Sequence, residues 1–149
     1  MKYTIQDFRK DFPDDKTCLQ FIFKNRYPKG LECPSCAKNR WSKVNGRKSF
    51  ACSCGFQTHP TESTIFHKSR TPLTLWFYAI FLMAQSKNGV SAKEIERQIG
   101  VTYKCAWRMV KQIRLLMDDD NGTLGGKECE TSLPLVLFSK VERTFLKAS

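Results

Sequence analysis

Four cysteines between positions 33 and 54 constrain this chain more than any other feature. They stand as Cys33-Pro34-Ser35-Cys36, a spacer of fifteen residues, and Cys52-Ser53-Cys54-Gly55. Two close cysteine pairs at that separation suit a tetrahedral Cys₄ zinc site, because each knuckle aims two thiolates at one metal and the spacer folds into a hairpin between them. The pattern reads as a zinc ribbon with Zn²⁺ as a structural cofactor and Cys33, Cys36, Cys52 and Cys54 as its ligands. The second pair is one residue tighter than usual, which leaves His59 and His67 as alternatives to Cys54 for the fourth position.

With 149 residues, the chain has room for one ordinary domain or two very small ones, and small domains bury too little apolar surface to be stable unaided. A structural metal supplies that help. The seven cysteines are odd in number, and no charged-then-apolar leader precedes Asp7 and Asp11. Both features point to a reducing cytosol rather than a secreted disulfide scaffold. The longest apolar run, Leu73 to Ala84, is too short for a bilayer, which takes roughly 20 residues, so no membrane partner is expected.

The net charge of +11 is unevenly placed. Residues 24–72 hold ten Lys/Arg against two Asp/Glu, and residues 87–115 hold seven against two. Two basic blocks flanking an uncharged apolar segment suit a polyanion-binding surface.

Taken in order, Thr4 reads as the N-cap of a short helix ending near Pro13, and a second helix starts at Asp14 or Asp15 and stops at Tyr27, before Pro28 and Gly30. Two short runs around Asn45-Gly46, Trp41 to Val44 and Arg47 to Cys52, predict a hairpin that returns Cys52 and Cys54 beside Cys33 and Cys36. Arg40, Lys43, Arg47 and Lys48 line that hairpin and suit phosphate contact, with Arg47 and Lys48 assigned to DNA binding, and Trp41 and Phe50 are expected to cover the metal. Residues 57–67 read as a polar connection. Leu73 to Met83 is apolar nearly all round and predicts a central core helix.

Ser91-Ala92-Lys93-Glu94 has the form of a capping box, Gly100 that of a left-handed helix end, and Thr102 caps a further helix running to about Met117. Two helices joined by so short a turn form a helix-turn-helix. At 100° per residue, Ala106, Met109, Val110, Ile113, Leu116 and Met117 share one side of the second helix, and Lys104, Arg108, Lys111 and Gln112 share the other. A recognition helix needs that division, with one face on the core and long donors facing base edges and phosphates. Lys104 and Arg108 are assigned to base contact and Tyr103 and Arg114 to flanking phosphates, while Trp107 and Cys105 are assigned to packing. Asp118-Asp119-Asp120 reads as a solvated helix end.

From about Phe12 to Leu124 the chain resembles the N-terminal part of the zinc-ribbon insertion-sequence transposases of the DDE type. The resemblance rests on Tyr27-Pro28-Lys29-Gly30, the two cysteine knuckles, Thr64-Ile65-Phe66-His67-Lys68-Ser69, Pro72-Leu73-Thr74-Leu75-Trp76-Phe77, and Gly100-Val101-Thr102 with Trp107-Arg108. It implies recognition of terminal inverted repeats by the ribbon and the helix-turn-helix. It also implies a following ribonuclease-H-like domain whose three carboxylates hold two divalent metals. The sequence departs from that pattern where the family carries Asp-Glu-Thr: Glu130-Thr131 matches the last two residues, but Cys129 stands in place of the Asp. No Asp follows Asp120, and only 18 residues follow Thr131.

The fold expected is α+β and mainly α. N-terminal helices occupy 1–30, a small β zinc ribbon 31–60, a helical domain 61–117 with the helix-turn-helix at 91–117, and a divergent tail 118–149. The function expected is a non-enzymatic, sequence-specific DNA-binding fragment of a transposase. Double-stranded DNA is the partner and the cytoplasmic nucleoid the location, and self-association or association with an intact transposase is a further expectation. The alternatives are a transposase subunit completed in trans and a protein-binding zinc-ribbon module.

Overall fold

The computed structural model describes residues 4–118 apart from 63 and 87. The expected tail, with Cys129 and the Glu130-Thr131 match, lies outside the described residues. So do Asp119, Asp120 and the side chains of Leu116, Met117 and Asp118.

Two short helices open the chain. In α1 (Ile5–Asp11) the Thr4 side chain accepts from the Asp7 backbone N–H while the Asp7 carboxylate accepts from the Thr4 backbone, the reciprocal arrangement of a capping box. Those bonds from Thr4 hold the Asp7 carboxyl below the usual carboxylate range. α2 (Asp15–Arg26) ends at Tyr27, as the following Pro28 requires, and buries Cys18, Leu19 and Ile22. Burial pushes the Cys18 thiol up to about 12, which leaves it a small apolar core residue at neutral pH.

Three short antiparallel strands follow in the order β1-β2-β3. β1 (Trp41–Lys43) and β2 (Phe50–Cys52) are the expected hairpin, in the register Trp41↔Cys52, Ser42↔Ala51 and Lys43↔Phe50. Its connection is longer than a two-residue turn. The Arg47 N–H donates to the Val44 carbonyl around Asn45-Gly46, with Gly46 at φ 73°, and the Val44 N–H donates to Ser49. Arg47 and Lys48 therefore lie in the loop rather than in the strand. β3 (Gln57–Thr58) pairs with Phe50 and Ala51 where a plain connection was expected.

The core is built on α3 (Leu73–Gln85), whose buried residues include Leu73, Trp76, Phe77, Ala79, Ile80, Phe81, Met83 and Ala84. Pro72 at its N-cap offers no side-chain oxygen, and the cap comes from another helix. The Asp15 carboxylate accepts from the Thr74 backbone N–H at 3.0 Å and from its hydroxyl at 2.9 Å. A carboxylate there also meets the positive end of the α3 dipole. Phe12 stands edge-on to both Phe21 and Phe77, so the N-terminal helices are glued to α3 by aromatic contacts.

α4 (Ala92–Ile99) and α5 (Tyr103–Asp118) pack on each other and on α3, with Ile95, Ala106, Met109, Val110 and Ile113 buried at the junction. Only Gly100, Val101 and Thr102 join them. The expected capping box at Ser91 is half formed: Ser91 Oγ accepts from the Glu94 N–H at 3.2 Å, but the Glu94 carboxylate instead accepts from Gln98 at 2.7 Å. Gly100 closes α4 in the left-handed region at φ 78°, its N–H donating to the Glu96 carbonyl. A Cβ there would meet no atom within 4 Å, so Gly100→Ala isolates the backbone cost. Thermal or urea unfolding of that variant is expected to show a loss of about 1–2 kcal/mol; an unchanged midpoint would contradict it.

Candidate metal centre and basic helix face

The four cysteines converge, with all their Sγ atoms within 4.8 Å of one another. Cys33 and Cys54 sulfurs lie 3.4 Å apart, and those of Cys36 and Cys52 lie 3.5 Å apart. A tetrahedron with Zn–S bonds of about 2.3 Å has sulfurs about 3.8 Å apart, so the set is close to the size that zinc requires. The four residues present fit Zn²⁺ as a structural ion, and they form the single cluster of metal-ligating groups among the described residues.

The local backbone explains how two unequal knuckles share one centre. In the first, the Ala37 N–H donates to the Cys33 carbonyl at 2.8 Å, and Ala37 sits in the left-handed region at φ 55°. In the second, the Gly55 N–H donates to the Cys52 carbonyl at 2.9 Å, with Gly55 at φ 92°. The second turn is one residue shorter and contains one residue fewer between its cysteines. The tight Cys52-Ser53-Cys54 spacing is thus absorbed by the turn, and Cys54 completes the set. His59 and His67 are elsewhere, both lining a cavity of about 320 Å³ with Lys48, Glu62 and Lys68.

Backbone donors tune the thiols toward metal binding. The N–H of Cys54 is the largest influence on Cys52 and brings it down to about 6, and the N–H of Phe56 lowers Cys54. At Cys36 the Lys38 N–H also pulls down, but desolvation and the three neighbouring thiols outweigh it and push the group up to about 12. Four thiols this close cannot all ionise without a cation among them.

The aromatic residues expected over the metal serve mainly to dock the ribbon. Phe50 is buried against Phe23 of α2 at 4.4 Å between centroids, and Trp41 bridges toward Phe23 and Phe56 while its Nε1–H donates to the Leu31 carbonyl at 2.6 Å. Lys48 is drawn into the same joint. Its ammonium donates to the carbonyls of Ser69 at 3.0 Å and Thr71 at 2.9 Å, and burial lowers its pKa. Lys48 therefore ties the hairpin loop to the segment entering α3, whereas Arg47 is exposed. From the other side, Arg26 donates to the carbonyls of Pro60 and Glu62.

On α5, Tyr103, Lys104, Arg108, Lys111 and Arg114 are exposed and Gln112 is half-buried. Arg114 also donates to the Val90 carbonyl at 3.3 Å. Trp107 was expected in the packed face and is not there: it is 51% exposed, with the Lys111 ammonium 5.1 Å from its ring centroid. The packing role at that turn is filled by Ala106, whose small side chain is fully buried. Cys105 is half-buried, 3.2 Å from the Thr71 hydroxyl. The missed signal was angular, since Trp107 falls on the same side as Lys111 at 100° per residue.

Among known proteins, residues 13–57 match the family described as transposase zinc-ribbon domain. That match starts at α2 and runs through the second knuckle into β3. The chain is also similar to an uncharacterized protein in transposable element ISH50 of Halobacterium salinarum, at 22% identity over 121 residues, which cover 78% of this chain and 40% of the relative. The chain thus spans less than half the length of that relative. No solved structure matches it. No helix among the described residues is long and apolar enough to cross a membrane.

Proposed function

We propose that this chain, whose residues 13–57 are a transposase zinc-ribbon domain, is a sequence-specific binder of duplex DNA that recognises the terminal repeats of an insertion element. The observation that carries the reading is the exposed side of α5, which displays Lys104, Arg108, Lys111 and Arg114 and has no Asp or Glu from Tyr103 to Leu115. The helix follows a three-residue turn from α4, and its opposite face is held on the core, as a helix entering the major groove requires. Lys104 and Arg108 serve base edges, while Arg47 on the ribbon loop and Tyr103 beside α5 serve phosphates. Lys48 is left out of this set because its ammonium is engaged within the fold.

Recognition rather than strand cleavage is assigned to residues 4–118. Cleavage by a DDE-type site needs three carboxylates on divalent metals, and the position that matches the first of them in the resemblance is Cys129. Cleavage then falls to an intact transposase or another segment, with this chain acting at the nucleoid as a binding partner or competitor. The purified chain is expected to show no magnesium-dependent nicking of a terminal-repeat duplex.

Binding is tested by titrating the zinc-loaded chain with the terminal repeat of the element that encodes it, at several salt concentrations. Affinity should fall steeply with salt as phosphate contacts release counterions. Lys104→Ala or Arg108→Ala should each cost about 1–3 kcal/mol on the repeat and little on unrelated duplex. Arg47→Ala should weaken all duplexes alike and reduce the salt slope by about 1. Equal, weak binding to every sequence would refute the recognition helix.

A further inference from the structure

We infer that Trp107 is a specificity-determining residue of the DNA interface proposed above, its indole packing against thymine 5-methyl groups in the major groove. The inference rests on that reading and deepens it. Five large apolar side chains are exposed among the described residues: Ile5, Phe56, Tyr103, Trp107 and Leu115. Three of them lie on α5, and Trp107 is the largest. At 100° per residue the exposed positions of α5 span an arc of about 140°, with Lys111 at its centre and Lys104 and Trp107 to either side. The indole therefore stands within the cationic face, not at its margin against the core.

Half of the Trp107 surface meets water, as does half of that of Tyr103 one turn before it on the same side, so two adjoining aromatic rings are exposed together rather than one standing singly. Charge complementarity identifies the partner as a polyanion. The ring is interleaved with cations, its neighbour Lys111 sits 5.1 Å from the centroid, and the same helix face has no carboxylate to repel phosphate. An apolar protein surface would have to desolvate those cations without compensation, whereas a duplex pairs them with phosphates and base acceptors. Within the major groove the one sizeable apolar group is the thymine methyl. Trp107 is the fifth residue of α5, in the N-terminal part of the helix, where base contacts concentrate.

The test selects duplexes from a randomised library with the zinc-loaded full chain, then replaces each thymine of the enriched sequence by uracil, which removes only the methyl. Wild-type chain should lose about fourfold in affinity at one or two thymines, the worth of a buried methyl. Trp107→Ala should bind the enriched duplex about 4- to 16-fold more weakly, the loss of one or two such methyl contacts, and be indifferent to uracil at those positions. Trp107→Phe should keep part of both effects, and all three proteins should bind random duplex alike. Enrichment with the same uracil sensitivity in Trp107→Ala, or with none in wild type, overturns the inference and leaves the DNA reading standing. No enrichment at all overturns both.

Discussion

Replacing Cys33 by Ser is expected to abolish zinc binding and unfold the ribbon. Cys33 is 2% exposed, and its sulfur reaches from the first knuckle to the second, 3.4 Å from that of Cys54. The ribbon has almost no core of its own: its three strands are 3, 3 and 2 residues long, and Phe50 is the one large apolar side chain buried in them. A structural zinc contributes about 10–16 kcal/mol in comparable small peptides, as much as the whole stability of a typical domain, about 5–15 kcal/mol. Metal analysis should therefore fall from one zinc per chain to none, and amide exchange across 31–58 should become fast. The buried residues around Trp76 do not depend on the metal, so exchange in α3 and α5 should stay slow. His59→Ala and His67→Ala should keep the full zinc content. A Cys33→Ser chain with one zinc and an unchanged ribbon would sink the Cys₄ assignment.

The same site predicts a direction with pH. With Cys36 pushed up to about 12, its thiol is protonated at neutral pH in the metal-free fold, and zinc must displace that proton. Apparent zinc affinity then rises with pH by about tenfold per unit for each proton released, and acid strips the metal. Ribbon folding, and DNA binding with it, should be lost on the acid side and recovered on neutralisation with zinc.

The parts of this fold that were legible in the sequence are those encoded by short-range stereochemistry. Cysteine spacing gave the metal centre, Pro28 and Gly30 the end of α2, and Gly100 the end of α4. Each is fixed by a few covalently close residues. Elements that depend on distant partners were not legible. β3 is two residues long, too short to show alternation, and it is a strand only because Phe50 and Ala51 offer it a free edge. The Lys48 ammonium finds carbonyls 21 and 23 residues away, which no local pattern announces. Glu94 had the capping-box position, but Gln98 one turn later on the same helix face competes for its carboxylate. Ranking Cys54 against the histidines required three-dimensional convergence as well.

Trp76 and Trp107 give the second large effect and also test how the two halves of this reading separate. Trp76 is 1% exposed in the first turn of α3. Its ring stands at 90° to that of Phe66 at 5.5 Å, and its Nε1–H donates to Ser69 Oγ at 2.9 Å. Trp76→Ala removes that packing, opens a cavity and strands the Ser69 hydroxyl, so urea unfolding of the zinc-loaded chain should show a loss of about 3–5 kcal/mol. Trp76→Phe fills most of the space and gives up the hydrogen bond, for a smaller loss. Trp107→Ala should change stability by no more than about 0.5 kcal/mol, as at other exposed positions, while weakening DNA binding. A Trp107→Ala chain destabilised as severely as Trp76→Ala would return that indole to the core and remove it from the interface. A Trp76→Ala loss below about 1 kcal/mol would mean that α3 is not the centre on which the ribbon joint and α4–α5 both rest.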